Sequence, residues 1–404
     1  MYKKAYIFYE VRTIKKNIMK PRHFRLPIKA YIIIAIIIIF ISGYISTFRI
    51  VVPEKTVYIA SAVALPNGFI SGIKELKYSL MKNLGIYDNT KQHNQKAGNV
   101  TDLETKRQFH DLSVTPDDII ENEELLKKQF REKNITPDGV IKEKTYISYQ
   151  ASDSFKNVFV RNVTVDSDID IQGIINNGCP LPISDYSKPT VLIYHTHSTE
   201  CYTLFDNGTF STTYAERNNN KNLNMIRIGE ELAAVLRARG IGVIHDTTIY
   251  DTVYTGAYDK SRQGITEILE KHPSIIITLD VHRDAIHYDE KTRVKPVAEF
   301  GNKKAAQMMI LTGAEGGNVD SFPSWETNLS FAVNLQKAVN DKYENLMKPM
   351  YFCNRKYNMD MTPYSLLIET GTDVNTLSEA AYSARLLGDV LAEFIKENIK
   401  EKHE

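Results

Sequence analysis

Histidine and carboxylate recur at three places in this chain where an apolar run ends. His195-Thr196-His197-Ser198-Thr199-Glu200 follows Val191–Tyr194, Asp280-Val281-His282-Arg283-Asp284 follows Ile275–Leu279, and Glu369-Thr370 follows Ser365–Ile368. Such runs read as buried strands, and strands ending at one edge of an α/β sheet deliver their next residues to a common crevice. Two neutral imidazoles and a carboxylate make an open zinc shell, and a second carboxylate beside the metal can take a proton from water. The reaction class implied is metal-assisted hydrolysis.

Each position has its own logic. His195 and His197 alternate along a strand end, and one of them suffices as a ligand. Glu200 stands three residues beyond His197, within reach of the same ion if the segment makes a helical turn or tight loop. In the second segment His282 offers the other imidazole, Asp280 or Asp284 can orient it, and Arg283 presents a planar fork for a substrate carboxylate or a developing oxyanion. An ion pair between Arg283 and one of those aspartates is the plainer alternative. Glu369, followed by Thr370-Gly371-Thr372, is placed for a partly desolvated carboxyl suited to proton transfer. His245, after Val243-Ile244, is a reserve ligand, and Tyr254, Tyr258, Ser261 and Arg262 are candidates for the crevice wall. Cys201 could ligate but reads better as a small semi-buried residue.

The elements that must hold these residues alternate between the two periods. Val158–Val165 is β-rich, Val191–Tyr194 is wholly apolar, and Ile226–Arg239 carries apolar residues at helical spacing up to Gly240. Strand Ile241–Ile244, helix Tyr258–Lys271, strand Ile275–Asp280, strand Met308–Leu311, helix Trp325–Leu346, strand Ser365–Ile368 and a helix over Asn375–Ile399 follow. Strands separated by helices of crossover length predict an α/β fold: a doubly wound, mostly parallel sheet flanked by helices.

Ahead of this region the composition changes twice. An apolar run over 26–48 is long enough to span a bilayer, and it is preceded by Lys3, Lys4, Arg12, Lys15, Lys16, Lys20, Arg22 and Arg25 against Glu10 alone. The positive-inside rule then puts 1–25 in the cytoplasm as a basic tail, 26–48 in the membrane as a single transmembrane helix, and the rest outside. A cleaved signal peptide also begins basic and turns apolar, but this run is too long for a usual signal core and lacks a strong small-x-small site. Residues 49–152 read as a polar linker or stalk, with a solvent-facing helix over Pro116–Phe130, and 153–404 as the catalytic domain. Over 404 residues, 43% hydrophobic and 25% charged side chains are ordinary for globular protein, and a net charge of +1 gives no reason to expect nucleic acid. Cys179, Cys201 and Cys353 are too scattered for a disulfide framework or a cysteine zinc site.

Tyr194-His-Thr-His-Ser-Thr-Glu200, Tyr214-Ala-Glu-Arg-Asn218, Ile244-His-Asp246, Tyr258-Asp-Lys-Ser-Arg262, Leu279-Asp-Val-His-Arg-Asp284 and Leu367-Ile-Glu-Thr-Gly371 together resemble the stage II sporulation protein P family over about residues 155 to 400. That family is similar in fold to zinc-dependent N-acetylmuramoyl-L-alanine amidases. The resemblance implies zinc on His197 and His282, with Glu369 as the catalytic glutamate. It also implies a peptidoglycan substrate, action at the sporulation septum between mother cell and forespore during engulfment, cleavage of the muramoyl–L-alanine amide and of peptide cross-links, and stage II sporulation proteins D and M as partners. Amidases carry a glutamate ligand just before their first long helix, where this chain has Lys221-Asn222-Leu223-Asn224. Glu200 is the substitute, with Glu216 or His245 as the other choices. A metallocarboxypeptidase shares the His-x-x-Glu spacing followed much later by His, and a cell-wall-binding module with a degenerate site is the non-enzymatic alternative.

Overall fold

The computed structural model describes residues 111–399 except 166, 204 and 213–215. The basic tail, the apolar run over 26–48 and the first part of the expected stalk lie outside the described residues. Among the described residues no helix is long and apolar enough to cross a membrane.

Six helices are described: α1 Asp117–Glu132, α2 Ile171–Asn177, α3 Met225–Ala238, α4 Ala257–Lys271, α5 Trp325–Lys342 and α6 Leu377–Glu397. The strands are β1 Gly139–Lys144, β2 Asp153–Phe155, β3 Val158–Asn162, β4 Pro189–Tyr194, β5 Thr209–Phe210, β6 Gly242–His245, β7 Ile277–Asp284, β8 His287–Asp289, β9 Thr292–Phe300, β10 Lys303–Ala306, β11 Met308–Gly313, β12 Met350–Cys353 and β13 Tyr364–Thr372. The main sheet runs β2-β3-β12-β11-β13-β7-β4-β6. Its β13-β7-β4-β6 section is parallel throughout, and antiparallel pairing enters at β11 with β13 and at β2 with β3.

Alternation along the central strands separates two cores. Val191 and Ile193 of β4, with Ile277, Leu279 and Val281 of β7, pack with Ile228 and Leu232 of α3. Leu192 and Tyr194 face the other way, against Ile265 of α4. Each fully buried aliphatic side chain contributes about 1.5–3 kcal/mol of transfer free energy, so a one-residue slip of either strand would exchange the two faces and forfeit both cores. The expected doubly wound, mostly parallel sheet is therefore present, with helices on both faces.

Two expectations change. Strand β7 continues through Asp284 and β13 through Thr372, so His282 and Glu369 lie within strands rather than after them; they are register partners in adjacent parallel strands. Their backbones are thus fixed by ladder hydrogen bonds, not by loop geometry. The described part of the expected stalk, 111–152, also belongs to the globular body. Strand β1 pairs with β9 in a second sheet ordered β10-β9-β1-β5, with β8 on β9. Helix α1 buries Ile119 and Leu126, Glu123 Oε1 accepts from the Ser378 hydroxyl at 2.5 Å, and Phe130 meets Phe205 edge-on at 5.1 Å. Composition hid this because a single stripe of apolar residues seven apart suffices to seat an otherwise charged helix.

Candidate metal and catalytic site

The turn after β4 brings the first histidine segment into the crevice. Glu200 N–H donates to the His197 carbonyl at 3.1 Å, closing the tight turn that puts both side chains at one place. The turn is then tied down from three sides. Met225 N–H donates to the Glu200 carbonyl at 3.0 Å and Asn218 N–H to the Thr199 carbonyl at 2.7 Å. The Tyr202 hydroxyl donates to the Thr370 carbonyl at 2.8 Å, one residue from Glu369. Asn224 caps α3 by accepting from Ile226 N–H at 3.0 Å.

His197, Glu200 and His282 converge here. The His197 and His282 rings meet edge to face with centroids 5.3 Å apart, and His282 Nδ1 lies 3.6 Å from Glu200 Oε2. All three are buried. Asp280, two residues earlier on the same face of β7, puts Oδ1 at 2.8 Å from His282 Nε2, but off the axis a hydrogen bond needs. That aspartate is itself held by Thr196, through its N–H at 2.9 Å and its hydroxyl at 2.7 Å.

Three buried polar atoms around this point make no hydrogen bond: His197 Nδ1, His282 Nε2 and Glu369 Oε2. Buried polar atoms are rarely left so, and two imidazole nitrogens and one carboxylate oxygen in this state, beside the Glu200 carboxylate, have the donor chemistry of a divalent-cation site such as one for zinc. The other convergence of acidic groups is different. Glu143, Asp206 and Glu379 surround the Lys295 ammonium at 2.7, 2.7 and 2.9 Å, so its charge already serves them.

Electrostatics divide the two carboxylates. Burial would raise the Glu200 carboxyl, but hydrogen bonding to His282 and the Arg283 and Arg217 charges hold it down to about 2. Burial raises Glu369 to about 8, with Asp284 adding to it. Burial opposes the charged form of His282, yet Asp280 and Glu200 overrule it and lift the imidazole well above its ordinary value. His197 goes the other way, lowered to about 4 by burial and then by His282.

The remaining expected residues separate clearly. His195 is fully buried beneath the site: its Nδ1 is 2.8 Å from the Val281 carbonyl and its Nε2 3.0 Å from His245 Nε2. His245 Nδ1 in turn lies 2.9 Å from Glu230 Oε2, so His245 braces His195. The Glu216 carboxylate pairs with Arg293 at 3.2 Å. Of the three choices for the third ligand, Glu200 is the one whose carboxylate lies beside His282. Arg283 does not present its fork to the crevice. Nε donates to the Cys201 carbonyl at 3.0 Å, Nη1 to that of Asp284 at 3.3 Å and Nη2 to that of Glu216 at 2.9 Å. Neither a substrate fork nor an aspartate ion pair, Arg283 staples the Glu200 loop to β7. Cys201 is buried, its thiol pushed up to about 12 by burial, which disfavours the thiolate a metal needs.

Two contributors escaped the sequence reading. Asp251 is buried, accepts from the Thr199 hydroxyl at 2.7 Å, and has Oδ2 3.8 Å from His197 Nδ1. Arg217 bridges it to Glu200, donating through Nη1 to Asp251 and through Nη2 to Glu200 Oε1 at 3.2 Å. The available signal was weak: both stand in polar loops with no strand leading directly into them. Tyr254 and Tyr258 do reach the wall, Tyr254 stacked flat on His197 at 4.6 Å and Tyr258 edge-on at 5.7 Å.

Comparison with known proteins follows the same line. A family model described as stage II sporulation protein P matches residues 74–392. Stage II sporulation protein P of Bacillus subtilis (strain 168) is 28% identical over 218 residues, covering 51% of this chain and 51% of that protein. The chain thus matches about half the length of that curated relative. Among solved structures, N-acetylmuramoyl-L-alanine amidase AmiC2 of Nostoc punctiforme is 11% identical with a TM-score of 0.30, covering 52% of this chain and 96% of its own. The CwlD amidase from Clostridioides difficile, solved in complex with the GerS lipoprotein, is 16% identical with a TM-score of 0.29, covering 52% and 99%. Likeness at these TM-scores assigns nothing to individual residues of this chain.

Proposed function

Because this chain belongs to the stage II sporulation protein P family, we propose that it is a peptidoglycan hydrolase cutting the amide between N-acetylmuramic acid and the L-alanine of the stem peptide. In this reading it works during remodelling of the sporulation septum and engulfment, held by its N-terminal apolar run as a single-pass protein with the catalytic domain outside the membrane. Stage II sporulation proteins D and M are its proposed partners. One observation carries the enzymatic part. Two buried imidazoles and a buried ionised carboxylate converge beside a second carboxyl that burial keeps neutral, and one nitrogen of each imidazole and one oxygen of that second carboxyl make no hydrogen bond.

His197, Glu200 and His282 would hold zinc. When bound, zinc supplies Lewis acidity to the scissile carbonyl and makes water a better acid. Glu369, on the neighbouring strand in register with His282, accepts the proton from the attacking water and returns it to the leaving alanine nitrogen. With a cation held by these residues, Glu369 would favour its charged form, the form that can accept a proton. Asp280 places a negative charge against His282, while Arg283 and Arg217 hold the Glu200 loop in place.

The test is murein digestion by the full chain, the His197→Ala and His282→Ala variants, and a chelator-treated sample, each assayed for bound zinc. Release of stem peptides by the parent alone supports the reading. Release by the variants at the parental rate refutes it.

A further inference from the structure

The mechanism leaves one donor at the crevice rim unused. Arg217 makes three hydrogen bonds: Nη1 to Asp251, Nη1 to the Thr199 hydroxyl at 3.2 Å, and Nη2 to Glu200 at 3.2 Å. Its Nε–H has no acceptor among the described residues. A guanidinium carries five donors, and the Nε/Nη2 edge is the one that meets a carboxylate side-on. The side chain is 33% exposed, unlike the enclosed Arg283. It is also held in place. The Arg217 guanidinium carbon lies 5.0 Å from the centroid of Tyr254, which is 60% exposed and stacks on His197. Fixing the fork in advance removes the ordering cost that a free surface arginine would incur on binding an anion.

We propose that Arg217, backed by Tyr254, is a carboxylate-binding subsite of this crevice, seating a free carboxylate of the muramoyl peptide next to the bond that is cut. The assignment rests on the hydrolase reading above. Glu200 and Asp251 do not fill the role of that anion, because they occupy the Nη1 side and one Nη2 proton, and Arg283 and His282 share the Glu200 charge. Two carboxylates of such a ligand have the required chemistry: the α-carboxylate of the stem's second residue, and the lactyl carboxylate freed by cleavage. An acid has both oxygens for the fork, whereas an amide at the same position offers one oxygen and a repelling donor.

The experiment compares N-acetylmuramoyl-L-alanyl-D-glutamate with its D-isoglutamine analogue, and N-acetylmuramic acid as the product arm. It uses the zinc-loaded full chain and its Arg217→Lys and Tyr254→Leu variants, with zinc content and melting temperature measured for each. Kinetics and calorimetric binding to the Glu369→Gln form are both read. The parent is expected to prefer the acid by about tenfold or more, in line with one charge-assisted hydrogen-bond pair. Read per bound zinc, Arg217→Lys should reduce that preference to under about twofold, and Tyr254→Leu, which leaves the Asp251 and Glu200 contacts in place, should give an intermediate value at parental zinc content. If the lactyl carboxylate is the ligand, the Arg217-dependent preference moves to inhibition by N-acetylmuramic acid and is absent from the dipeptide pair. A parent with neither preference, or an Arg217→Lys variant that keeps it or loses all ligands and zinc together, overturns the subsite. A protein that binds acid over amide through Arg217 but cleaves nothing would keep the subsite and sink the hydrolase reading.

Discussion

Glu369 is where the chemistry is most exposed to test. Its carboxyl is held neutral to about 8 by burial, against an ordinary 4.5. Between those values the folded chain keeps a proton that the unfolded chain has released, so stability of the metal-free protein falls as pH rises through the window. Glu369→Gln removes that fall. With chelator present, melts at pH 6 and pH 9 should show the parent losing more melting temperature than the variant; equal losses would contradict the burial argument. With zinc loaded, the same variant should retain the metal and lose about 10²- to 10⁴-fold in kcat, the usual worth of a positioned base. His282 supplies a second expectation. Its imidazole is raised well above 6.5 in the metal-free protein by Asp280 and Glu200, after burial has pulled the other way. A ligand must be neutral, so metal uptake displaces that proton. Zinc affinity measured against a chromogenic chelator should fall as the pH is lowered and the proton on His282 competes with the metal, and a flat profile would contradict it. His197, His282 and Glu369 were legible in sequence because apolar runs lead straight to them. Arg217 and Asp251 were not, since nothing in a polar loop says which side chain will turn inward.

At the scale of elements, the parallel section β13-β7-β4 does the positioning. It sets His282 beside Glu369 by register and puts Asp280 one step behind on the same face. Its strands were readable because both faces are buried, which makes them continuous apolar runs. The second sheet was not readable. β1 has mostly exposed side chains and only Val140 and Ile141 to mark it, and its pairing with β9 is a contact across about 150 residues that no local pattern reveals. Helix α1 was found, but its place was not. Leu126 is 8% exposed in the pocket formed with Cys201, Tyr202, Leu223 and Leu377. Leu126→Ala should therefore lower the unfolding free energy by about 2 kcal/mol, read by denaturant titration. No change would mean that α1 is the solvent-facing stalk helix its composition suggests.

At the scale of the whole molecule, the crevice is assembled from distant stretches of the chain. Glu200 comes from the turn after β4, Arg217 from the segment between β5 and α3, Asp251 from the loop after β6, His282 from β7 and Glu369 from β13. Site and fold are thus inseparable: the ion pairs and main-chain bonds that fix the Glu200 loop also tie α3, β7 and β13 together. The central claim concerns which bond such a site cuts. Digestion of murein by the zinc-loaded full chain in ¹⁸O-labelled water, followed by mass spectrometry, reads this directly. The account expects label in the lactyl carboxylate of muramic acid together with stem peptides bearing a free N-terminal alanine. Label confined to peptide carboxylates or to the sugar, with muramoyl–alanine bonds intact, would contradict it.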